Sequence, residues 1–124
     1  MRTVYRDPAS RWITSDDADP KAGGMSHEFN VLDIFHEGGG SDHTTYVGSV
    51  KFQHGSMLEV GVNGLQHADL YRILIDRLQS VQAGAFSCPE NDEQIAHLQA
   101  ALALDEERTA RRKAARSEGM MRGN

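Results

Sequence analysis

From His27 onward the apolar residues first crowd together and then alternate. HEFNVLDIF, residues 27–35, is rich in Phe, Val and Ile without clean alternation, the pattern of a strand covered on both faces. EGGGSD, residues 37–42, then breaks the chain as a flexible connection. In TTYVGSVKFQ, residues 44–53, Tyr46, Gly48, Val50 and Phe52 fall on one face, with Thr45, Ser49, Lys51 and Gln53 opposite. MLEVGV, residues 57–62, alternates in the same way through Leu58, Val60 and Val62. The turn between the last two stretches can be tested by register. A loop of His54 and Gly55 alone would set Val50 against Glu59, an acid on the apolar face. A loop of His54–Ser56 sets Phe52 against Leu58, Lys51 against Glu59 and Val50 against Val60, matching faces and charges together. The pattern therefore predicts a hairpin.

After Asn63–Gly64, which reads as the strand-to-helix turn because glycine permits positive φ, the period becomes helical. Leu70, Ile73, Leu74, Leu78 and Val81 make one stripe, and Gly84 supplies a stop. Ser87 and Glu90 then have capping-box spacing, with Pro89 near the first helical position and Glu90, Asp92 and Glu93 at the positive end of the helix dipole. The second helix runs through Ile95, Leu98 and Leu102 to about Arg116. A connection of about five residues makes the two helices an antiparallel hairpin. The expected organisation is an N-terminal tail over 1–24, a β-sheet portion over 25–64, a helical hairpin over 65–118 and a C-terminal tail over 119–124. The tail reading of 1–24 rests on Pro8, Pro20, the acids Asp16, Asp17 and Asp19, and the lack of a sustained period, with disorder or partial strand addition as the outcomes. The fold class is α+β, a small antiparallel sheet followed by an antiparallel two-helix hairpin.

Helix lengths point to chemistry. At 1.5 Å per residue, Gln66–Ala83 spans about 27 Å and Pro89–Arg116 about 42 Å, so the second helix overhangs the first by about ten residues, starting near Asp105. The overhang contains RTARRKAAR, residues 108–116, in a chain whose net charge is −5. Arg108, Arg112 and Arg116 recur every fourth residue, one row of guanidinium groups on one helix face. Such a run is ordinarily a solvated helix end that complements the dipole, and Glu107 can pair with Arg111. Yet the like charges repel by about 0.2–0.5 kcal/mol per pair, and an unsupported overhang frays. Several subunits converging on a polyanion relieve both problems, because guanidinium makes paired hydrogen bonds to phosphate. Assembly as a homo-oligomer is therefore expected.

Composition narrows the choices. A pI of about 5.6 argues against broad nucleic-acid coating and suits a compact basic spot for a small anion. Length allows one small domain. No stretch is apolar enough to span a membrane, and residues 1–24 lack a secretory signal pattern. Cys88 is the single cysteine, which excludes an intramolecular disulfide and fits a reducing compartment.

EVGVNGLQHADLYRILIDRLQSVQAGAFSCPEN, residues 59–91, followed by ERTARRKAARSEGM, residues 107–120, resembles the helical hairpin shared by phage anti-CBASS and Thoeris anti-defence sponge proteins. HEFNVLDI and VKFQHGSMLEVGVNG resemble the β portion of the Thoeris type. The resemblance implies a non-enzymatic protein without a cofactor that sequesters cyclic nucleotide immune signals, glyco-cyclic ADP-ribose or cyclic oligonucleotides, inside the infected bacterial host. It implies a homo-oligomer, commonly a hexamer built from dimers. Asn91 matches the family asparagine at a helix N-terminus, where backbone N–H groups favour phosphate. Arg108 and Arg112 match the family pair four residues apart, and Asp92, Arg111 and Arg116 adjoin these positions. Val81 stands where many relatives carry an aromatic residue, leaving Phe86 as the candidate stacking ring, and Pro89 replaces a family arginine.

Two other chemistries have sequence support. His43–Thr44–Thr45 and His54–Gly55–Ser56 both read H-x-[ST], the motif of two-histidine phosphodiesterases, in which the pair supplies general acid and base. That motif is short and its copies here lie close together. A scaffolding or DNA-contacting accessory protein would use the basic overhang. His36, His43 and His54 are zinc-type ligands, but no Cys partner or helical His pair accompanies them, and no metal site is expected. Cys88, near a helix N-terminus, reads as a packing or capping residue.

Overall fold

The computed structural model describes residues 1–8, 10–36 and 42–122, and the side chains of all of these except 35, 36, 42 and 117–122. The chain divides into two compact units, Met1–Leu65 and Gln66–Asn124.

The first unit is built on a four-stranded sheet in the order β1 (Arg2–Arg6), β2 (Arg11–Ser15), β3 (Glu28–His36) and β4 (Asp42–Lys51), each strand antiparallel to the next. Of the two outcomes expected for 1–24, strand addition is the one found: its first half is two strands. Trp12, Ile13 and Thr14 pair with Leu32, Val31 and Asn30, so β2 takes the edge of β3 opposite β4. Arg6 lies 4.9 Å from the Trp12 ring centroid, and Trp12 Nε1 donates to Thr3 Oγ1 at 3.2 Å, tying β1 to β2 across their turn. None of these partners is near in sequence to β3, which is why local periodicity missed them.

The alternation read in β4 holds for Gly48, Val50 and Phe52, which are half-buried, but not for Tyr46, which is 61% exposed. Val31 pairs with Gly48 and Leu32 with Tyr46, so Val47 is an extra residue that shifts the parity of the strand. The expected connection over 37–42 lies almost wholly outside the described residues.

The predicted hairpin does not form. Residues Met57–Val60 make a single helical turn, α1, whose N-cap Ser56 accepts the Leu58 N–H through Oγ at 3.2 Å. Gly61 ends it at φ 76°. The end of β4 finds another partner: Leu65 N–H donates to the Lys51 carbonyl and Gln53 N–H to the Leu65 carbonyl, a parallel bridge ten or more residues along the chain. Side chains close the intervening loop. Gln53 accepts the Asn63 N–H at 2.9 Å and donates to the Gly61 carbonyl at 2.9 Å. Asn63 accepts the His54 N–H at 2.8 Å and donates to the His54 carbonyl at 2.7 Å. Gly64 is required here for a reason other than positive φ: a Cβ would collide with the Phe52 backbone.

The second unit is a helical pair, α2 (His67–Gln82) and α3 (Pro89–Arg122), packed against each other. They run antiparallel, since Gln82 meets Cys88 and Asn91 while Arg72 meets Glu106. The buried face of α2 carries Ala68 and Ile75, with Tyr71, Leu78 and Gln82 half-buried in line with them. That face is rotated from the predicted stripe, whose Ile73 is 56% exposed and whose Leu74 and Val81 are exposed as well. The predicted stripe and the buried face share Leu78, and the stripe departs from that face at Ile73, Leu74 and Val81, which stay exposed. On α3, Asn91, Ile95, Leu98, Leu102 and Asp105 form the half-buried row, in agreement with the predicted Ile95, Leu98 and Leu102. Helix α3 continues through Arg122, into the segment expected as a C-terminal tail.

Candidate functional site

Three groups of polar side chains stand out, one in the sheet unit and two on the hairpin. At the hairpin tip, the expected Ser87–Glu90 capping box is not formed among the described residues. Gln82 from the end of α2 takes its place. Its Oε1 accepts the Cys88 N–H at 2.9 Å and the Asn91 Nδ2–H at 3.0 Å, and its Nε2 donates to the Cys88 carbonyl at 2.9 Å. A side chain from the neighbouring helix thus satisfies an N-terminal donor that local sequence would normally satisfy. Asn91, half-buried, is held in that network. Asp92 is exposed in the same first turn, and Phe86 projects from the connection with 85% of its surface exposed.

At the other end of the hairpin, every described side chain from Glu106 to Arg116 is exposed, and Asp105 is the last half-buried one. The covered part of α3 therefore ends where the helix lengths predicted. Arg72 pairs with Glu106 at 3.2 Å. Among the described residues, Arg108, Arg111, Arg112, Lys113 and Arg116 make no ion pair, and the expected Glu107–Arg111 pair is not formed. Their mutual repulsion is consequently uncompensated within the described chain. Asn91 and Arg108 are separated by about 25 Å of helix, so one chain does not bring the tip residues and the arginine row to a common ligand.

The third group was not anticipated as a unit. Asp19 Oδ2 lies 3.0 Å from His27 Nε2 and 3.2 Å from His54 Nε2. The two imidazole rings stack with centroids 3.8 Å apart and planes 12° from parallel. His27 is buried, Asp19 half-buried and His54 exposed. Nearby, Asp16 Oδ1 accepts the backbone N–H groups of His27 at 2.9 Å and Glu28 at 3.1 Å. The Glu28 N–H foremost, then that of His27, hold the Asp16 carboxyl below its ordinary range against the opposing effect of burial. The His27 hydrogen bond, aided by the Lys21 N–H, does the same for Asp19. The sequence pattern groups His54 with His36 and His43, whereas the fold places it beside Asp19 and His27. The signal for this group in the sequence is the acid-rich segment Asp16, Asp17 and Asp19 ahead of His27.

His43 and His54, the candidate acid–base pair, lie at opposite ends of β4. The strand from His43 to Lys51 alone spans about 26 Å, so they do not form one site within a chain. The side chain of His36 lies outside the described set. Cys88 is half-buried, and its backbone N–H and carbonyl are both held by Gln82 at the start of α3.

No protein family's sequence profile matches the chain. Over 78 residues, 63% of its length, it is 38% identical to Thoeris anti-defense 1 of Bacillus phage SBSphiJ7, a match that spans 55% of that protein. The chain spans about half the length of the curated relative it matches. Among the described residues, no helix is long and apolar enough to cross a membrane. Over those 78 residues the chain is similar to a Thoeris anti-defence protein.

Proposed function

We propose that the protein acts against a bacterial anti-phage defence inside the infected cell, by binding and sequestering a cyclic nucleotide signal without cleaving it. The observation that carries this reading is the row Arg108, Arg112 and Arg116, with Arg111 and Lys113 beside it, exposed and without acidic partners among the described residues. A guanidinium row of this kind suits several phosphates held close together, each taking two parallel hydrogen bonds. The relative's name supports the anti-defence context. Copies of the chain assembled as a homo-oligomer would bring such rows together around the ligand, whose phosphates would offset their repulsion. In this reading Asn91 and Asp92 contribute polar contacts at the hairpin tip and Phe86 stacks on a base. The tip and the row then serve either different copies around one ligand or two ligands.

The test is calorimetric titration of glyco-cyclic ADP-ribose, a cyclic dinucleotide and a cyclic trinucleotide into the wild type and into Arg108→Ala/Arg112→Ala. At least one ligand should bind the wild type, and loss of the two guanidiniums should weaken capture of a multi-phosphate cyclic oligonucleotide by about 100-fold or more, from two charge-assisted contacts of about 1.5–3 kcal/mol each. Heat denaturation should release the bound nucleotide intact on chromatography. Linear products would instead indicate a phosphodiesterase, and unchanged affinity in the double variant would remove the row from the site.

A further inference from the structure

Asp19, His27 and His54 offer one carboxylate oxygen and two imidazole nitrogens, all within 4.8 Å of one another. We propose that these three residues bind a divalent transition-metal ion of the zinc class. Two imidazoles and a carboxylate are a borderline-soft donor set, suited to zinc, cobalt or nickel and poorly suited to magnesium or calcium, which prefer oxygen alone. In a tetrahedral site with bonds of about 2.0–2.1 Å, neighbouring ligand atoms stand about 3.3 Å apart. Asp19 Oδ2 already lies 3.0 and 3.2 Å from the two Nε2 atoms, so the donors stand close to the required spacing.

Each ligand is also fixed from behind. Asp19 Oδ1 accepts the Lys21 N–H at 2.9 Å, which turns Oδ2 toward the imidazoles. The His27 backbone is held by Asp16, and the His54 backbone is held on both sides by Asn63. Hydrogen bonds that orient ligands in this way are the usual support of a metal centre. The stacked rings require one adjustment. An ion lies in the plane of each imidazole that binds it, so two nearly parallel planes must open. His54 is the ring that can turn, because its side chain is 61% exposed while its backbone stays pinned. Opening the stack leaves at least one coordination position facing solvent, available to water or to a ligand oxygen. The ion would join the segment carrying Asp19 and His27 to the loop carrying His54.

The experiment uses the full chain, stripped with a chelator and titrated with zinc chloride by calorimetry and with cobalt chloride by visible absorption. One ion per chain is expected. Zinc affinity should fall more than about tenfold in His54→Ala and in Asp19→Asn, and stay unchanged in His97→Ala, which removes an exposed histidine of α3. Cobalt bound to the wild type should show the intense spectrum of a four- or five-coordinate ion, a readout independent of how any variant folds. Absence of zinc binding, equal affinity in a folded His54→Ala, or the weak six-coordinate spectrum of free cobalt would overturn the proposal.

Discussion

Gly64 illustrates how a single position can be recognised as special for the wrong reason. Its place beside Asn63 suggested a turn needing positive φ, whereas its role is to let the backbone pass against Phe52 with no room for a side chain. Gly64→Ala should push apart the Phe52–Leu65 bridge and destabilise the sheet unit by about 1–3 kcal/mol, measured by urea denaturation, the ordinary cost of overpacking a site that cannot relax. Wild-type stability in that variant would mean that the bridge yields freely. Asn63 is similar: its side chain grips both backbone groups of His54, which no local pattern predicts.

Among the elements, α2 and α3 were the most legible and α1 the least. A helix of 16 or 34 residues carries enough turns for its period to outweigh any one residue. MLEVGV is short, and its alternation fits a strand as well as it fits one helical turn with a serine cap. The cap and Gly61 decided the matter together, once Leu65 had taken the edge that the hairpin needed. At the hairpin tip, Gln82 replaces a local cap by reaching across from the preceding helix. Gln82→Ala should therefore lower stability by about 1–3 kcal/mol, through the half-buried Cys88 N–H and Asn91 amide it leaves unpartnered. Chemical denaturation followed by circular dichroism measures this, and a loss smaller than that of Ser87→Ala would restore the capping-box reading.

At the scale of the whole molecule, the described residues contain few fully buried apolar side chains: Ile34, Ala68 and Ile75. Leu58, Val62, Ile73 and Phe86 remain exposed, and the arginine row is uncompensated within the described chain. Apolar surface left in water favours association, whereas the like charges of the row oppose it until an anion lies between them. Sedimentation at micromolar concentration should accordingly give a species larger than the 13.7 kDa chain, with raised salt weakening ligand capture more than assembly. A stable monomer would deny the row its neighbouring copies and leave the sequestration reading without its anion site.

Sequence by itself determined the α+β order of elements, β3, most of β4, both long helices, the apolar row of α3 and the basic stretch beyond Asp105, because each is written in residues adjacent along the chain and repeats with a period. Only the tertiary structure decided that residues 2–15 complete the sheet, that the face of α2 holding Ile75 is the buried one, and that Asp19, His27 and His54 meet. Those outcomes depend on which distant segment reaches an open strand edge, helix face or carboxylate first and fits it, and no period along the chain encodes a partner that lies 20 or 30 residues away.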